Sequence, residues 1–181
     1  MCVNSYEEVQ YLALSRLLEF ERTQLTPVAN QINIVQFARH YGFEVYEDIL
    51  DCSGQIMISK DLEPVYKSNK VILLNKFDPV ARQRFTLAHE MGHYFMNLQS
   101  REASGEAYIA HRDSDVMYKT RDEKFADYFA SVLLMPAHKV LDVIQRLPRK
   151  HDVVNEVKNV FGVSEAAARV RLMQLGVLSN G

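Results

Sequence analysis

Near the start of the chain Val9, Leu12, Ala13, Leu17 and Phe20 are spaced to form one apolar helical face, interspersed with Glu7, Glu8, Arg16 and Glu19. This pattern predicts a helix over residues 5–24, broken by Thr26-Pro27. A second predicted helix starts at Asn33, a favourable N-cap, and runs through Ile34, Phe37 and Ala38 to Gly42, which suits the position past a helix end. Three short runs, 43–49, 55–58 and 70–74, read as strands separated by Asp51-Cys52-Ser53-Gly54 and by Ser68-Asn69. They predict a small, partly exposed antiparallel sheet.

The clearest helix signal follows. Asp78 is a natural N-cap, Pro79 suits the first helical position, and Leu87, Met91, Tyr94 and Leu98 make a buried stripe. Residues 99–120 are polar and irregular and read as a long functional loop. Another helix is predicted over 122–134, with Phe125, Phe129, Val132 and Leu133 inward, and Met135-Pro136 ends it. Further helices complete the chain, with breaks near Pro148 and at Phe161-Gly162-Val163-Ser164. The reading is a helix-rich α+β protein with a core and N-terminal helix in 1–136. A C-terminal helical segment, 137–181, packs on that core.

Composition narrows the class. The 181 residues are 48% hydrophobic and 24% charged, usual values for a globular chain, and suffice for one domain with a core. The chain has no membrane-length apolar run, and its first helix carries too many charges for a secretory leader. Cys2 and Cys52 lie far apart without metal-type pairing, so a reducing cytoplasm fits best. Residues 1–136 carry 14 Lys+Arg against 19 Asp+Glu, a net of −5, while 137–181 carry 7 against 4, a net of +3. An asymmetry this small fits an ordinary solvated helical surface.

Candidate chemistry lies in His89-Glu90-Met91-Gly92-His93, inside the helix predicted from Asp78. Side chains four apart project from one helix face, so His89 and His93 can present two imidazoles to one Zn²⁺ at about 2.0–2.1 Å. Glu90 lies about 100° round the helix, where it can reach a bound water without being a ligand, the place of a general base. A catalytic zinc usually has three protein ligands and an open fourth position. Glu123, 30 residues after His93 in the next predicted helix, can be the third. Asp127, one turn further on the same face, can accept a hydrogen bond from a ligating histidine and fix its tautomer. Zinc lowers the pKa of its water to about 7, so Glu90 would take the proton during attack on a carbonyl and pass it to the departing amine. The oxyanion needs another donor, for which Tyr108, His111, Arg112, Tyr118 and His138 are the candidates. Manganese is the alternative metal.

The stretch Arg82-Gln83-Arg84-Phe85-Thr86-Leu87-Ala88-His89-Glu90-Met91-Gly92-His93-Tyr94-Phe95 resembles the core motif of the ImmA/IrrE-type metallo-endopeptidases. So does Glu123-Lys124-Phe125-Ala126-Asp127-Tyr128-Phe129-Ala130, followed by Leu133-Leu134-Met135-Pro136, with Asp127 where the family commonly has Asn. The resemblance runs from about residue 27 to residue 178. It implies a small zincin-like α+β peptidase with gluzincin-like ligation. It also implies a helix-turn-helix transcriptional repressor as substrate, cleaved to derepress a mobile element or a stress response.

A different class of function competes. Residues 152–176 read as helix, Gly-containing turn and helix, with Ser164 as N-cap and Arg169 and Arg171 available to face phosphate. The alternative is therefore a DNA-binding or repressor-binding regulatory module that keeps a structural or vestigial zinc site. Against nucleic acid as partner, the second helix carries Ala166, Ala167 and Ala168 where base-reading side chains belong.

Overall fold

A computed structural model describes residues 3–25, 29–62, 65–112, 120–148 and 151–179, with the backbone only at 101 and 110–112. Each early element ends where its local chemistry dictates. Helix α1 (Tyr6–Arg22) begins at Ser5, whose hydroxyl accepts from the Glu8 amide, and buries Val9, Ala13, Leu17 and Phe20. Helix α2 (Ile34–His40) is capped by Asn33, which accepts from the Gln36 amide at 3.1 Å. These apolar faces coincide with the stripes expected from spacing.

The sheet comprises β1 (Glu44–Asp48), β2 (Gly54–Ile58), β3 (Lys70–Asn75) and β4 (Tyr108–Arg112), in the order β1-β3-β2-β4. Two of its pairings are antiparallel, with Ile56 opposite Ile72 and opposite Ala110, but β1 runs parallel to β3. The sheet is thus mixed rather than wholly antiparallel. The chain reverses after β1 to make β2, and β3 then fills the space between them, so it must run with one neighbour and against the other. Strand β4 corrects the long-loop reading of 99–120. It is an edge strand with Ile109 exposed, and edge strands need no clean apolar alternation.

Helix α3 (Val80–His93) starts one residue later than expected. Pro79, not Asp78, occupies the N-cap, with an extended backbone and no side-chain cap bond. Asp78 instead pairs with Arg82 at 3.2 Å. Beyond His93 the helix widens into a π-helical turn, Tyr94–Leu98, and continues as α4 (Gln99–Ser104). Helix α5 (Arg121–Leu134) is capped by Thr120 and followed by α6 (Ala137–Gln145), α7 (Val153–Phe161) and α8 (Glu165–Gln174). Ile56, Ile58, Ile72 and Leu74 on one sheet face share a single core with α1, α3, α5, α7 and α8. Met57, Val71 and Leu73 on the other face pack with Tyr46, Leu50, Leu62 and Tyr66.

The α7–α8 pair has the expected turn, with Gly162 in the left-handed region at φ 63° and Ser164 accepting from the Ala167 amide. Its arginines are not aimed at phosphate. Arg171 is 1% exposed and donates its Nε–H to the Met135 carbonyl at 2.9 Å, tying α8 to the end of α5. Arg169 is paired with Glu165 at 2.9 Å. From the other side, Arg84 of α3 donates to the Gly162 and Ile32 carbonyls, both at 3.1 Å. Val154, Val157, Phe161, Ala168 and Leu172 bury the inner face of the pair in the common core. Among the described residues, no helix is long and apolar enough to cross a membrane.

Candidate metal centre

Two glycines let α3 lie close to its neighbours. A Cβ on Gly92 would stand 3.2 Å from three atoms of the Phe129 side chain, so α3 and α5 approach at van der Waals contact there. A Cβ on Gly54 would meet the Thr86 methyl at 2.5 Å, so β2 passes closer still beneath the same helix. A mid-helix glycine costs about 1 kcal/mol relative to alanine. That cost signals a packing need, and it is the clue by which the sequence could have pointed to Gly92, which was not singled out from the sequence.

The close approach brings the two helices' polar side chains together. His89 Nε2 and His93 Nε2 stand 3.0 Å apart. Glu123 reaches both rings, Oε1 to His93 Nε2 at 3.0 Å and Oε2 to His89 Nε2 at 3.3 Å. Four ligands placed tetrahedrally at about 2.0–2.1 Å from a zinc ion are separated by about 3.3 Å. The three observed separations, 3.0, 3.0 and 3.3 Å, are close to that edge length. The donor set, two imidazoles and a carboxylate, is one that binds divalent transition metals. Among the described residues, this is the group able to hold a metal ion.

Electrostatics agree with the geometry. The carboxyl of Glu123 is held well below the usual carboxylate range, first by its hydrogen bond with His89 and then by that with His93. It is therefore a ready anionic donor. On the other edge of the His89 ring, Nδ1–H donates to Asp127 Oδ1 at 2.9 Å. A carboxylate only accepts, so Nδ1 carries a proton and Nε2, the edge that faces His93 and Glu123, is the nitrogen left for a metal. His89 is fully buried and cannot turn away, whereas His93 and Glu123 are partly exposed, so the cluster opens to solvent on their side.

The structure brings together four of the predicted residues, His89, His93, Glu123 and Asp127. Glu90 follows His89 on α3 and is 2% exposed. Tyr108 is half-buried on β4, and His138 is exposed at the start of α6; neither joins the cluster. The side chains of His111 and Arg112, and all of Tyr118, lie outside the described residues. Glu102, an acid nearer to His93 in sequence than Glu123, is not in the cluster: it accepts from the Tyr94 hydroxyl at 2.7 Å and pairs with Lys70 at 3.2 Å.

A mixed sheet under a helix bearing His-Glu-x-x-His, with a carboxylate supplied by the next long helix, defines a metallopeptidase-like protein. The Peptidase M78 family model, described as the IrrE N-terminal-like domain, matches residues 47–173, and the chain belongs to that family. A solved chain of a Mycobacterium tuberculosis transcriptional regulator has a similar fold, with a TM-score of 0.56 at 16% identity. The match covers 92% of the present chain and 51% of the mycobacterial one, so this chain spans about half its length. No curated protein matches the sequence.

Proposed function

We propose that the chain is a zinc-dependent endopeptidase in which His89, His93 and Glu123 hold the metal and Glu90 is the general base. The observation that carries this is the convergence of three donor side chains from two helices at 3.0–3.3 Å, beside a buried glutamate. Zinc bound there supplies Lewis acidity, polarising a carbonyl and lowering the pKa of water; manganese is the alternative metal. Glu90 accepts the proton of the attacking water and delivers it to the leaving amine. Asp127 keeps His89 in the tautomer with a free Nε2. The oxyanion donor comes from Tyr108, His111, Arg112, Tyr118 or His138, three of which belong to edge strand β4.

The substrate follows from the family resemblance: a helix-turn-helix transcriptional repressor in the cytoplasm, cleaved to release a mobile element or a stress response. The chain organisation proposed with it is a peptidase core, 1–136, buttressed by the helical segment 137–181. The experiment is incubation of the zinc-loaded protein with a small helix-turn-helix repressor, sought first among its genomic neighbours, with a chelator as control. Glu90→Gln should retain zinc and lose cleavage, and His93→Ala should lose both. Equal cleavage by wild type and Glu90→Gln refutes the role of Glu90.

A further inference from the structure

The two histidines of the cluster are oriented by different means. Asp127 grips His89 from behind, whereas the contacts of His93 among the described residues are with His89 and Glu123, at its Nε2 edge and its ring face. The direction of His93 therefore comes from its backbone, at the last residue of α3. Tyr94, the next residue, opens the π-helical turn Tyr94–Leu98, and such turns are rare and fall mostly at functional sites. In an unbroken α-helix Glu102, eight residues after Tyr94, would stand about 80° round from it. The extra residue of one π turn reduces that to about 20°, so the two side chains share a face. There the Tyr94 hydroxyl donates to Glu102 Oε2 at 2.7 Å.

Glu102 is held in its turn. Its other oxygen, Oε1, pairs with Lys70 Nζ at 3.2 Å, and that ammonium donates to the Tyr41 carbonyl at 2.6 Å and reaches the Tyr94 hydroxyl at 3.4 Å. It also lies 5.2 Å from the centres of both the Phe43 and Tyr94 rings, a cation–π position over each. Lys70 opens β3 and is mostly buried, so a polar strap runs from the sheet through Glu102 to the end of α3. We infer that Glu102 is a positioning residue for the metal centre: through Tyr94 it locks the π-helical turn and so fixes the direction of His93. The inference rests on the reading of His89, His93 and Glu123 as metal donors. Without the Glu102 carboxylate, the buried Tyr94 hydroxyl loses its acceptor and the Lys70 ammonium its counter-ion. The turn is then free to relax towards the α-helical register, which rotates the chain that leaves His93.

The test loads the full chain with Co²⁺ in place of zinc and reads the visible ligand-field bands, whose energy and intensity report coordination geometry. Zinc affinity is measured beside it by competition with a chromophoric chelator. Glu102→Ala should weaken zinc binding about tenfold, the lower end of the range for a group behind a ligand, and shift the cobalt bands. Glu102→Gln keeps an acceptor for Tyr94 and should bind zinc more tightly than Glu102→Ala, with bands nearer those of wild type. Arg171→Ala loosens the fold at the far end of α5 and should leave the bands where they are. Should Glu102→Ala fail to fold, Tyr94→Phe, which deletes one hydroxyl, takes its place with the same expectation. Wild-type bands and affinity in that variant overturn the positioning role and leave the metal centre standing. Bands that shift as far in Arg171→Ala, or a Glu102→Gln no better than Glu102→Ala, overturn the role as well. A wild type that binds neither zinc nor cobalt overturns the metal centre, and the role of Glu102 with it.

Discussion

Asp127 accepts the Nδ1 proton of His89 at 2.9 Å, and Glu123, one turn earlier on the same helix, meets the Nε2 edge of the same ring at 3.3 Å. One imidazole is thus gripped from both edges by a single helix, which fixes its tautomer and its direction together.

Removing the outer grip should weaken metal binding without emptying the site. Asp127→Ala is expected to lower zinc affinity about 10–100-fold, the usual effect of losing a carboxylate behind a ligating histidine. Asp127→Asn keeps an acceptor oxygen and should lose less than Asp127→Ala. Competition with a chromophoric chelator measures both, and equal affinity for wild type and Asp127→Ala would refute the role.

Gly92→Ala sets two effects against each other. Helix propensity favours alanine by about 1 kcal/mol. Overpacking a full core costs about 1–3 kcal/mol, and the new methyl would press on Phe129, which is fully buried and has nowhere to retreat. The net expectation is a loss of up to about 2 kcal/mol in urea unfolding, together with weaker zinc binding as α3 and α5 separate. A stabilised variant with unchanged affinity would contradict this account.

Arg171 is a buried cation whose fork bonds the Met135 carbonyl and, at 3.2 Å, Gln174 Oε1. Burial lowers its pKa from the ordinary value, so desolvation already opposes the charged form. Arg171→Ala opens a cavity and leaves the Met135 carbonyl without this donor, and should destabilise the fold by about 2–5 kcal/mol. Denaturant unfolding reads this directly. A variant of wild-type stability that had lost affinity for DNA would instead show Arg171 acting at a phosphate.

The depressed pKa of Glu123 makes a signed prediction for the metal-free protein. A carboxyl whose folded pKa lies below its ordinary value of 4.5 contributes stability that is present above 4.5 and is lost as pH falls through the folded value. With chelator present, wild type should therefore be more stable than Glu123→Gln at pH 6–7, and the gap should close as the solution is acidified below about 4. Thermal melts of both proteins across that range decide it; a gap that widens in acid would mean the glutamate is not held ionised by the histidines.

Much of this was legible along the chain because it is local. The His89–His93 pair depends only on helical periodicity, and the caps at Asn33 and Ser164 depend only on a side chain reaching an amide three residues on. Edge strand β4 was not legible, since the open edge of a sheet imposes no burial pattern on its residues. The start of α3 was misjudged by one residue, because Asp78 had a partner in Arg82 that competed with its capping role.

What the sequence determined by itself was therefore whatever acts within a few residues: the helices, their apolar faces, and two histidines on one side of one of them. Tertiary structure decided that Glu123 meets both rings, that β1 runs parallel to β3, and that Arg171 points into the core rather than outward. Those outcomes depend on how closely surfaces far apart in sequence can approach. That distance is set by the packing of Gly92 on Phe129 and Gly54 on Thr86, contacts invisible until both partners are in place.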